Sequence, residues 1–196
     1  MSTTFFTIFV GFFMYSPEVW ISARGIIGVD VHRIKGVKFM KQKCKTYLFW
    51  VGLSLGVGLM AGLLTRAGTA AYAINAVKPP LTPPGWLFPI VWTILYTLMG
   101  IGAARISLML NAPGRDQALN IFVVQLVVNF FWSLIFFNAK AYGLAFVWIL
   151  LLWLLIIGMI LSFLKVDRIA AYLQVPYMLW VTFATYLNWG IYQLNR

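Results

Sequence analysis

The sequence predicts an all-α integral membrane protein, a five-transmembrane-helix bundle. Its 196 residues are 62% hydrophobic and only 10% charged. A soluble domain carries about a quarter charged residues, so too little polar surface is left to cover a globule. The mean hydropathy of +0.89 points the same way. The apolar residues fall into five runs of about 20, the length that crosses a bilayer as a helix. None alternates with the period of two that a membrane barrel needs.

Residues 1–46 stand apart as an N-terminal segment. Phe5–Tyr15 is apolar but short for a span, and neither a preceding basic region nor a small-residue cleavage site marks a signal peptide. Lys35-Gly36-Val37-Lys38 can be encoded by a purine-rich ribosome-binding sequence, and MKQKCK is an ordinary bacterial start before a membrane helix. The natural start is therefore expected at Met40. Residues 47–196 form the membrane domain, with spans at about 47–64, 86–110, 118–137, 142–164 and 170–194. Most connections are short and polar. The exception, Thr65–Gly85, is long enough to be expected to pack over something, with AAYAINAV as a short helix.

The net charge of +11 does not form a basic stripe on a soluble face, so lipid contact and orientation explain it better than nucleic acid. Lys41, Lys43, Lys45, Arg105, Arg115, Lys165 and Arg168 fall on the N-terminal side; Arg66, Lys78, Lys140 and Arg196 fall on the other. That bias predicts a bacterial cell membrane protein with a cytoplasmic N-terminus and an external C-terminus. Cys44 is alone, so neither a disulfide framework nor a thiolate metal cluster is expected.

No Asp, Glu, His or Lys sits mid-span, which argues against an ion channel or a proton-coupled transporter. His32 lies outside the spans, so a bound tetrapyrrole would be held by stacking and hydrogen bonds rather than by histidine. Three spans carry aromatic and amide groups at helical spacing: Gln125, Asn129 and Ser133 beside Trp132; Tyr177, Trp180, Ala184 and Asn188; and Trp92, Tyr96 and Gly100. Uncharged amides in hydrocarbon need partners, so these faces point inward. Gln125 and Ser133 read as interhelical glue. Asn129, beside Trp132, fits glue and a ligand anchor equally. Together the three faces can line a flat, mostly apolar pocket. Trp20, Trp50, Trp86 and Trp189 suit interface belts instead. Gly52, Gly56, Gly58 and Gly62 allow close helix approach on the first span, chiefly within the bundle.

KPPLTPP, from Lys78 to Pro84, is a stiff strap, because proline fixes φ and restricts the residue before it. Pro83 and Pro84 lead into the second span, where a missing N–H costs nothing. In order along the chain, KPPLTPPGWLFPIVWTILY, QLVVNFFWSLIFF and PYMLWVTFATYLNWGIYQLN resemble the TspO/MBR family. That family comprises the tryptophan-rich sensory proteins of bacteria and the translocator protein (peripheral-type benzodiazepine receptor) of mitochondria. The resemblance runs from about Tyr47 to the C-terminus.

It implies a five-helix bundle, commonly a homodimer, whose first loop closes over a ligand pocket. The implied ligands are porphyrins such as protoporphyrin IX and haem, sterols and benzodiazepine-like compounds; no cofactor and no metal is implied. Matched residue by residue, the motifs imply a ligand-binding set of Tyr72, Pro83, Trp92, Tyr96, Asn129, Trp132, Trp180 and Ala184. Leu81 and Ala71 stand where many members have tryptophan, and Leu187, Tyr192 and Arg196 follow a cholesterol-recognition spacing. The expected function is a membrane sensor or carrier that captures porphyrin-like molecules, with the indoles of Trp92 and Trp180 converging on one dry cavity under the strap. The alternatives are light- and oxygen-dependent breakdown of protoporphyrin, with Trp92 and Trp180 as redox partners or shields, and a transporter. The absence of charged relays and inverted repeats weighs against transport.

Overall fold

Exposed Leu, Ile, Val and Phe side chains ring the bundle, which places its outer surface in hydrocarbon rather than water. The computed structural model describes residues 31–196, with side chains from Met40 onward. Trp20 and most of the N-terminal segment, with the expectation of a start at Met40, lie outside the described residues. Seven helices follow in order: α1 (Val31–Leu64), α2 (Arg66–Asn75), α3 (Leu87–Leu108), α4 (Arg115–Ser133), α5 (Tyr142–Val166), α6 (Arg168–Tyr172) and α7 (Val175–Leu194). A π-helical turn, Leu134–Asn138, extends α4.

Four helices are long and apolar enough to cross a membrane: Met40–Leu64, Leu87–Leu108, Arg115–Asn138 and Tyr142–Val166. The fifth, α7, has 20 residues but is diluted by tyrosines, threonines and Asn188, most of which bond within the bundle. The expected run from residue 170 is broken in two. Asp167 caps α6 by accepting from the Ile169 N–H at 3.0 Å, and α7 restarts with Pro176 in its first turn, where its missing N–H is harmless.

Hydroxyls inside the spans bond back to their own helices, as hydrocarbon requires: Ser54 to the Trp50 carbonyl, Thr93 to Pro89 and Ser162 to Gly158. α1 crosses α3 closely at two glycines. A Cβ on Gly58 would run into the Tyr96 ring, and one on Gly100 would reach the Val51 backbone. Among the described residues nothing lies within 4 Å of a Cβ at Gly52, Gly56 or Gly62, so there Gly58 is the one glycine of the expected stripe at a close approach.

The core runs along the bundle axis through Met99, Phe122, Ile156, Phe163 and Val181. At one end, Arg105 of α3 pairs with Asp167 at 2.6 Å. At the other end the α1–α3 connection is held down. Asn138 donates to the Leu64 carbonyl at 3.0 Å, and Asn195 exchanges two bonds of 2.9 Å with the backbone of Val77. The short helix expected within this connection is α2, beginning a few residues earlier than AAYAINAV.

Candidate functional site

The strap ends where the Leu87 N–H bonds to the Pro84 carbonyl at 3.0 Å, and α3 begins there. One helical turn separates Trp92 from Tyr96, so their rings lie 5.4 Å apart on the inner side. Tyr96 is buried against Gly58, which has no side chain to displace it.

On α4, Gln125, Asn129 and Trp132 are all buried. Gln125 accepts from the Tyr177 hydroxyl at 3.0 Å, which joins α4 to α7 as glue. Asn129 donates through Nδ2 to the Tyr96 hydroxyl at 3.3 Å, while its buried Oδ1 has no partner among the described residues. Trp132 donates through Nε1 to Asn188 Oδ1 at 3.4 Å and stacks on Phe136 at 5.4 Å. Asn188 in turn donates to the Ala184 carbonyl at 3.1 Å. Ser133 is half-buried beside this face.

On α7, Tyr177 is fully buried and meets the Trp92 ring at 6.2 Å. Trp180, one turn further, packs against Phe88 and Phe183. Its buried Nε1 has no partner among the described residues. The Trp180 ring also lines a cavity of about 430 Å³ with Val91, Ile94, Leu95, Pro176, Leu179 and Phe183. That cavity opens on the outer face of the α3–α7 seam, and Trp92 is not among its lining residues. The two indoles therefore face neighbouring sides of one seam instead of opposing each other across a shared void.

Above this cluster, Tyr72 of α2 rests edge-on against Phe136 and Phe137, at 5.4 and 5.6 Å. The π turn brings those two rings to the same place, an outcome that helical periodicity does not anticipate. Burial, and then the neighbouring Tyr142, push the Tyr72 hydroxyl up to about 12. Lys78 donates to the Ala73 carbonyl and lies over the Tyr72 ring. Pro83 is half-buried in the strap. Leu81 projects outward with φ of 67°, so the departure from the family pattern falls on an exposed side chain.

The structure thus assembles two linked groups. Trp92, Tyr96 and Asn129 form one; Tyr72, Trp132 and Ala184 form the other, through Phe136 and Asn188. They join on α4, where Asn129 and Trp132 are one turn apart. Trp180 sits at the flank. Asn195, which fastens the strap, went unnoticed in the sequence because it follows the last span and no helical spacing marks it. Leu187 is buried and so does not share an outer face with Tyr192 and Arg196, although Arg196 does stack over the Tyr192 ring. Among the described residues no three His, Cys, Asp or Glu side chains come together.

The side chains of the three ordered motifs thus pack against one another between α3, α4 and α7, with the proline-rich strap fastened at one end. The family model for the TspO/MBR family matches residues 50–194. The chain belongs to the TspO/MBR family. It is 38% identical over 160 residues to the tryptophan-rich protein TspO of Chlorobaculum tepidum, covering 80% of this chain and 99% of that protein. It is 37% identical over 121 residues to the tryptophan-rich sensory protein of Cereibacter sphaeroides, covering 62% and 75% respectively. It is also 31% identical over 150 residues to the human translocator protein, covering 76% and 88%. Family membership and apolar helices together make it a multi-pass membrane protein.

Proposed function

We propose that the protein is a membrane receptor or carrier for porphyrins, protoporphyrin IX and haem foremost, held within the bundle beneath the strap. The observation that carries this reading is Asn129 Oδ1, a buried acceptor with no partner among aromatic walls. An unpaired buried polar group costs about 1–3 kcal/mol, so a ligand donor such as a pyrrole N–H would relieve it. In this reading Trp92, Tyr96, Trp132 and Tyr72 supply the flat apolar faces and Trp180 a flank, with Pro83 and Ala184 as small apolar neighbours. The chain is read as a homodimer in a bacterial cell membrane, N-terminus cytoplasmic and C-terminus outside.

The test is tryptophan-fluorescence titration with free-base porphyrin, haem and a bile pigment. Each aromatic contact contributes about 0.5–1.5 kcal/mol beyond area burial, so Trp92→Ala with Trp180→Ala should abolish most porphyrin-induced quenching. Unchanged affinity in the folded double variant would refute the site. A second reading, photo-oxidative breakdown of the bound porphyrin, is favoured by the contacts of Trp92 with Tyr96 and Tyr177, a run of oxidisable rings. Products that form equally fast on an unrelated porphyrin-binding protein would leave no catalysis to explain.

A further inference from the structure

The bundle is fastened at its strap end and grooved on one flank. At the strap, Asn195 holds the Val77 backbone, the Tyr186 hydroxyl donates to the Pro80 carbonyl at 3.2 Å, and Pro79 is buried against Gly190. On the flank, an apolar groove between α3 and α7 opens outward past Ile94 and Leu179, 55% and 65% exposed.

Depth identifies what the groove faces. Leu95 precedes Arg105, the charged border of the bundle, by ten residues. At 1.5 Å per residue that is about 15 Å, half of a hydrocarbon core of about 30 Å. The groove therefore meets the middle of the bilayer. A phospholipid seated there would keep its ester groups at the border and leave the buried Trp180 N–H unanswered. A planar ring system carrying heteroatoms into the hydrocarbon would answer it. Trp180 is the site residue that lines the groove, and Val91 and Leu95 on its wall immediately precede Trp92 and Tyr96 in α3.

We propose that the flat hydrophobic ligand reaches the site sideways from the hydrocarbon core, through the α3–α7 groove and past the Trp180 ring, while the strap stays fastened. This rests on the porphyrin reading above. Access from the bilayer suits a ligand that partitions there, and it needs none of the strap's hydrogen bonds to break.

The test follows protoporphyrin IX quenching over time in proteoliposomes, with the full chain. Ile94→Phe with Leu179→Phe narrows the groove from both walls at exposed positions, and Leu154→Phe on α5 controls for added bulk facing lipid. The narrowed groove should slow association and dissociation alike, about tenfold, with Kd unchanged, because a route alters the barrier and neither end state. Asn195→Ala, which removes the two hydrogen bonds to Val77 and loosens the strap, should leave both rates as in the wild type. Wild-type rates in the narrowed variant, or faster rates in Asn195→Ala, place the way in under the strap and overturn the proposal. A narrowed variant that loses affinity through dissociation alone makes the groove a resting place and overturns it too. A wild-type protein with no saturable quenching defeats the porphyrin reading itself, and the route with it.

Discussion

Asn129 turns its amide nitrogen to the Tyr96 hydroxyl, 3.3 Å away on the neighbouring helix, and leaves its carbonyl oxygen buried with no donor. Half of the side chain serves the fold and half is unspent. Replacing Asn129 with leucine, which has the same branching and number of side-chain heavy atoms, removes the orphan acceptor but also strips Tyr96 of its partner. These effects oppose each other, so stability should stay within about 1 kcal/mol of wild type. Porphyrin affinity should fall about tenfold, the equivalent of one lost hydrogen bond. Thermal unfolding in detergent and fluorescence titration read the two quantities separately; equal affinity would remove Asn129 from the site.

Gly58 and Gly56 lie two residues apart and should respond in opposite ways. Alanine at Gly58 forces a methyl into the Tyr96 ring, whereas at Gly56 nothing lies within 4 Å. Gly56→Ala should be neutral or gain up to about 1 kcal/mol from helix propensity. Gly58→Ala should lose about 1–3 kcal/mol through overpacking and should weaken ligand binding as Tyr96 moves. Matched melting curves would show it, and two equally stable variants would mean that α1 does not press on Tyr96.

The Asp167–Arg105 pair sets an acid limit. Burial alone raises the Asp167 carboxyl, but the hydrogen bonds from Arg105 and the Ile169 N–H, with the guanidinium charge, outweigh it and hold the carboxyl below its usual value. A depressed folded value means that the contribution is present above about pH 3.9, the unfolded value, and is lost as pH falls through the folded one. Asp167→Asn should cost about 1.5–3 kcal/mol at neutral pH and flatten the stability profile below pH 4. A profile as steep as wild type would assign the acid limit elsewhere.

Tyr72 joins α2 to the end of α4 through two ring contacts. Removing them with Tyr72→Ala should loosen the connection by about 1–2 kcal/mol and speed amide exchange across residues 76–84 about tenfold. Exchange confined to its wild-type rate would mean that Asn195 and Pro79 hold the strap unaided.

The amino-acid sequence by itself determined the membrane-spanning helices, their order and the family. Span length, proline placement and three ordered motifs are local properties, and hydrocarbon tolerates few alternatives to a helix. Helical spacing also showed that Asn129 and Trp132 share a face, and that Trp92 and Tyr96 do. What only the tertiary structure decided is the rotation of each helix about its own axis. Spacing and the need to partner amides set which faces turn inward. They leave the angle free within such a face, because in lipid an apolar residue such as Trp180 does not have to be covered. Close approaches fix it instead: Gly58 beneath Tyr96, Pro79 on Gly190, and the Tyr177–Gln125 bond between α7 and α4. These turn Trp92 inward and set Trp180 at the flank. The π turn at Leu134–Asn138 was likewise invisible in the sequence, since it stands where the helical period is interrupted to bring Phe136 and Phe137 under Tyr72.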